Sequence, residues 1–194
     1  LTIQFAFDKK KAFFLPYKHY DTPFSAQELG YIKEKLSEYF LTNNNSLHLY
    51  CNANFDIPII RKEFELPIYQ NTIWDVQAGE YVIDENHVEL ANVTGSGYYN
   101  LGNLSLQYGF DGYLSGKFGK EDRVGIGKIP LDTPGLLNYG GYDVVILHGL
   151  KEQQLAKAKA DKHEKYFNVV TRLVGDTIQM FSTMNVNGIL VDQD

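Results

Sequence analysis

Leu47-His48-Leu49-Tyr50-Cys51-Asn52-Ala53-Asn54-Phe55-Asp56 is the stretch on which the fold turns. Leu47 to Cys51 is a short apolar run bounded by turn residues, with Asn43-Asn44-Asn45 before it and Asn52 after it. That pattern reads as a buried strand. A helix is expected from near Asn54, with Ile57, Ile59, Ile60 and Phe64 on it. Pro58 is expected in the first turn, where a missing N–H breaks no helical bond. A strand handing over directly to a helix is the beginning of a crossover unit.

Working outward, Ile3, Phe5 and Phe7 alternate with polar or small residues and predict a strand. The polar turn Asp8 to Lys11 leads to a second strand over Ala12 to Tyr17, giving a hairpin. Ser25-Ala26-Gln27-Glu28 has the form of a capping box, and Leu29, Ile32, Leu36 and Phe40 follow on one helical face. Strand, helix, strand, helix in this order predicts an α/β sheet. Downstream, helices are expected over Ile73 to Tyr81 and Asn100 to Tyr108. The Gly-rich stretch Phe110 to Ile129 reads as a surface loop. Thr133-Pro134 predicts a helix start with Thr133 as N-cap, running to about His148. Lys151 to Lys165 predicts a separate, exposed helix. Phe167, Val170, Val174, Ile178 and Phe181 predict the buried stripe of a last helix, stopped by Asn187-Gly188.

The chain has 194 residues, enough for one domain with a real core. It carries 44% apolar and 22% charged residues, with no apolar run of membrane-spanning length. Cys51 is its single cysteine, which excludes an internal disulfide and fits a reducing compartment. A net charge of −6 argues against tight, unaided binding of duplex nucleic acid. Carboxylates holding divalent cations can still bridge to phosphate. The five histidines have no zinc-like spacing with Cys51 or with one another.

Two motifs carry chemistry. In Asn52-Ala53-Asn54-Phe55-Asp56, Asp56 falls in the first helical turn, near unpaired N–H groups that favour an ionised carboxylate. Such a carboxylate suits Mg²⁺, although simple complementation of the helix dipole is the commoner use. In Tyr139-Gly140-Gly141-Tyr142-Asp143, helical spacing puts Tyr139 and Asp143 one turn apart on one face. The two glycines weaken a helix by roughly 1 kcal/mol each. Either a packing contact or close approach of a ligand to the backbone accounts for them.

As an ordered pair, these motifs resemble those of the 3′→5′ exonuclease domain of DNA polymerase I-like (family A) enzymes. Asn52, Phe55 and Asp56 fit that family's second exonuclease motif, and Tyr139 and Asp143 fit its third, Tyr-x-x-x-Asp. Trp74-Asp75 and Asn100-Leu101-Gly102-Asn103-Leu104 resemble the segments between the two. Asn187-Gly188-Ile189-Leu190-Val191-Asp192 resembles the passage into a polymerase module. The resemblance implies a ribonuclease-H-like mixed sheet flanked by helices, with residues 1–186 forming the exonuclease domain and 187–194 the start of the junction. The family's first motif, Asp-x-Glu, does not occur in the sequence. The expectation is therefore a domain lacking its first strand, which in the family lies between the hairpin and the Leu47–Cys51 strand, and lacking the two carboxylates on it.

The implied activity is hydrolysis of the 3′ end of single-stranded DNA, assisted by two divalent cations, Mg²⁺ or Mn²⁺. Asp143 and Asp56 would be metal ligands and Tyr139 would orient the attacking water. Phe55 would stack on a terminal base, with Asn52 supporting the site. The implied partner is the polymerase domain of the same parent chain, in the cytoplasm of a bacterium or phage-infected bacterium, with no membrane involved. Lys117, Phe118, Lys120 and Arg123 are candidate guides for the single strand. The alternative is an inactive exonuclease-like scaffold that supports the polymerase. Without Asp-x-Glu, the chain alone is expected to show little nuclease activity.

Overall fold

The computed structural model describes residues 2–43, 46–85, 99–110 and 126–188. The N-terminal alternation forms a hairpin of β1 (Ile3–Ala6) and β2 (Ala12–Leu15), antiparallel with Phe5 opposite Phe13 and Gln4 opposite Phe14. Helix α1 (Ala26–Thr42) opens with the expected capping box: the Ser25 hydroxyl accepts from the Glu28 N–H, and the Glu28 carboxylate accepts from the Ser25 N–H. Such a cap is worth about 1 kcal/mol. Strand β3 (Leu47–Tyr50), helix α2 (Ala53–Glu63) and strand β4 (Thr72–Asp75) form a parallel crossover unit, with Tyr50 paired to Asp75. Helix α3 (Val76–Ile83) follows without a loop, then α4 (Leu101–Gln107), a 3₁₀ turn (Ile126–Lys128) and α5 (Leu136–Ala160). A helical turn (Tyr166–Asn168), a π-helical segment (Val169–Val174) and α6 (Gly175–Asn187) complete the order.

The class is mixed α/β, and among the described residues four strands form two separate two-stranded ladders, β1–β2 and β3–β4. The β3–β4 ladder has a core on each face. Leu47, Leu49, Cys51 and Trp74 pack with Leu104, Leu147 and Leu150 of α4 and α5. Tyr50 and Ile73 pack with Ala53 and Ile57 of α2, Tyr69, and Ile178 of α6. Alternate residues of each strand thus go to opposite cores, as the pleat requires. Ile73 and Trp74 are wholly buried, and each such side chain contributes roughly 1.5–3 kcal/mol. Helix α5 packs on the hairpin and on β3, so it lies across both ladders.

Five sequence expectations are corrected. Ile73 to Tyr81 is not one helix: Thr72–Asp75 is strand and only the remainder is helical. Pro58 lies beyond the first turn of α2, inside the helix, and therefore removes the bond that its N–H would make to Asn54. Helix α5 begins at Leu136 after Gly135, which has φ 93°, rather than at Thr133-Pro134. It then runs unbroken through Gly149 to Ala160, where two helices were expected. Of the last stripe, Val170 and Ile178 are buried, whereas Phe167 and Phe181 are exposed. Helix α6 ends at Asn187, with Gly188 at φ 70° and its N–H donating to Met184 O. Lys117, Phe118, Lys120, Arg123 and 189–192 lie outside the described residues.

Candidate functional site

The β3–α2 junction is built on one left-handed residue. Asn52 has φ 68° and ψ 56°, a conformation that costs asparagine less than most side chains. Its side chain makes no capping bond. The sharp turn instead points the first N–H groups of α2 at β4. The Asp75 carboxylate accepts from Ala53 N at 2.6 Å and Asn52 N at 3.3 Å. The same carboxylate caps α3, accepting from Gln77 N at 2.9 Å and Ala78 N at 3.3 Å. One side chain, 4% exposed, therefore holds the N-termini of two helices. Burial raises the pKa of Asp75, and the four backbone N–H groups act against that rise.

Asp56 lies in the first turn of α2, partly buried. Burial, and then the neighbouring charge of Asp75, push its carboxyl up to about 6. Phe55, next to it, is 65% exposed. Tyr139 and Asp143 are half-buried on α5, each with interactions of its own. The glycines between them have a packing role. A Cβ on Gly140 would stand 3.0 Å from Gln4 Cγ and 3.2 Å from the Phe14 ring, and one on Gly141 would stand 3.4 Å from Ala12 Cβ. Gly140 and Gly141 thus let α5 rest directly on the hairpin.

Cys51 reports how these elements meet. Burial pushes its thiol up to about 12, and the charges of Asp75, Asp143 and Asp56 add to the effect in that order. Asp56 of α2 and Asp143 of α5 therefore both lie close enough to the end of β3 to act on one sulfur. Asp75 is the third carboxylate of this group, and the sequence reading did not assign it to the site. An Asp immediately before Val76-Gln77-Ala78 is a legible N-cap signal, hidden once Ile73 to Tyr81 is read as one helix.

Among the described residues, no three or more His, Cys, Asp or Glu side chains are grouped so as to hold a metal ion. The oxygens of Asp75 are taken up by backbone N–H groups. Beside Asp56 the charge of Asp75 is the like charge that raises its carboxyl, and a cation nearby would offset it. An open recess of about 420 Å³ adjoins Asn52 and Asp75, walled by Gln77, Tyr81, Tyr99 and Phe181. Phe55, Asp56, Tyr139 and Asp143 are not among its walls. No described helix is long and apolar enough to cross a membrane. Comparison with protein-family models, curated proteins and solved structures finds no match to this chain.

Proposed function

We propose that the chain is the greater part of a 3′→5′ exonuclease domain, of ribonuclease-H-like fold, serving a DNA polymerase module of the same parent protein. The observation that carries this reading is that Asp56 and Asp143, on two helices distant in sequence, both add their charge to the surroundings of Cys51 at the end of β3. Carboxylates converging from separate elements are what phosphodiester hydrolysis with divalent cations requires. Two such cations, when bound, would supply charge stabilisation and an activated water. Asp56 and Asp143 would hold them together with the two carboxylates of an Asp-x-Glu strand, placed between β1 and β3 and outside this sequence.

Each residue then has a defined task. Asp143 and Asp56 neutralise cation charge and fix the position of the scissile phosphate. Tyr139, one helical turn before Asp143, orients water through its hydroxyl and is too weak an acid to take its proton efficiently at neutral pH. Phe55, exposed beside Asp56, stacks on the terminal base, a contact every base can make. Asn52 shapes the turn that sets both.

The test uses the chain extended upstream to include an Asp-x-Glu segment. With Mg²⁺ or Mn²⁺, Asp143→Ala is expected to lower degradation of 3′-labelled single-stranded DNA by at least about 100-fold and to spare polymerisation. Equal loss of both activities would overturn the assignment. A second reading, a scaffold without nuclease activity, is favoured by Gly140 and Gly141 having a packing role and by Asp75 being committed to helix caps. An extended protein that is folded yet inert towards single strands at any divalent concentration would select it.

A further inference from the structure

The hairpin presents a surface that the cores use only in part. Gln4 and Phe14 face α5, as does Ala12, so the other face carries Ile3, Phe5, Phe7, Phe13 and Leu15. Ile3 and Leu15 pack against the α1–α2 core, leaving three rings beyond it. Phe5 and Phe13 are cross-strand partners stacked at 5.3 Å and 15°, and Phe7 meets both edge-on at 5.7 and 5.9 Å. Phe7 is 70% exposed and Phe13 42%. The turn beside them is Asp8-Lys9-Lys10-Lys11. Asp8 fixes that turn by accepting from Lys10 N at 2.7 Å and Lys11 N at 3.0 Å, and Lys11 Nζ sits 6.0 Å from the centre of the Phe13 ring. Lys9 pairs with Glu152 of α5 at 2.5 Å, where Lys151 adds further positive charge.

We propose that this face is a binding site for single-stranded nucleic acid, separate from the carboxylate site and not dependent on it. Exposed rings on a sheet face offer stacking that any base accepts, and lysines at the rim meet the phosphates. The charge of the patch selects this occupant. In a chain of net charge −6, Lys10 and Lys11 beside three rings, with Lys9 paired to Glu152, call for a polyanion with flat apolar faces. A second copy of the chain would bring its own lysine turn against this one. Insertion into a lipid surface would need an apolar tip, and here the tip is charged while the rings lie on the flat of the sheet.

The test is binding of a fluorescein-labelled oligothymidylate to the whole chain in EDTA, where no divalent cation can recruit the carboxylates. Phe7→Ala/Phe13→Ala should weaken binding by about tenfold or more, and Phe7→Trp should retain it. Lys10→Ala/Lys11→Ala should reduce the slope of log affinity against log salt by roughly 0.7 for each lysine removed. Phe7→Ala alone, at a ring mostly in solvent, keeps the test valid if the double variant fails to fold. Unchanged binding in the phenylalanine variants, absence of binding by the parent chain, or capture of phosphatidylserine vesicles in preference to the oligonucleotide would each overturn the proposal.

Discussion

At the scale of single residues, two buried titratable groups pull stability in opposite directions with pH. Asp56 has a folded-state pKa of about 6 against an ordinary 3.8. The folded state therefore keeps this proton longer than the unfolded one, and stability falls as pH rises from about 3.8 to 6. His48 is held by hydrogen bonds to Tyr39 and Tyr69, and burial lowers its pKa from 6.5 to about 4. There the unfolded state takes the proton first, so stability is lost as pH falls from 6.5 towards 4. The two slopes offset each other in the parent chain. In metal-free buffer, Asp56→Asn should gain on the order of 1 kcal/mol at pH 7 and should lose stability more steeply in acid than the parent. Urea melts at several pH values between 4 and 7 check both signs. The residues of this site were unevenly legible. Asp56, Tyr139 and Asp143 stand in short motifs that can be read directly. The left-handed backbone of Asn52 and the double cap by Asp75 depend on how β3 and β4 pair, which no local pattern contains.

At the scale of elements, the glycines of α5 separate packing from propensity. A Cβ on Gly141 meets only Ala12, at ordinary contact distance, so Gly141→Ala should recover helix propensity and stabilise by up to about 1 kcal/mol. A Cβ on Gly149 would lie 2.6 Å from Phe110 Cζ, so Gly149→Ala should destabilise by about 1–3 kcal/mol. Thermal unfolding of the two variants should shift in opposite directions. The contact with Phe110 also explains why sequence reading broke α5 in two. Gly149 looks like a helix end, yet here it marks where a ring crosses the helix surface. The hairpin, α1 and the β3–α2 unit were legible because caps, turns and alternation are local. Strand β4 was not, because its four residues are nearly all buried and show no period, and an Asp-capped helix follows at once. Pro58 shows the same limit: it lies inside α2, where its own preferences do not put it.

At the scale of the whole molecule, the β3–β4 ladder lies between two cores, while the hairpin is covered by α5 on one face and only in part on the other. Amides bonded within the β3–β4 ladder should therefore exchange with solvent more slowly than those of the hairpin, by at least about 100-fold. Native-state hydrogen exchange measures this directly, and equal protection would mean that the ladders open as one unit. The α/β class followed from the order of elements, but the division into two ladders did not, since strand order across a sheet has no local signature. The close approach of Gln4 to Gly140 also bears on synthesis. The hairpin leaves the ribosome well before the helix on which it rests. Until then Phe14 lacks the cover that α5 gives it, so a slow or paused nascent chain leaves both faces of the hairpin open to chaperones.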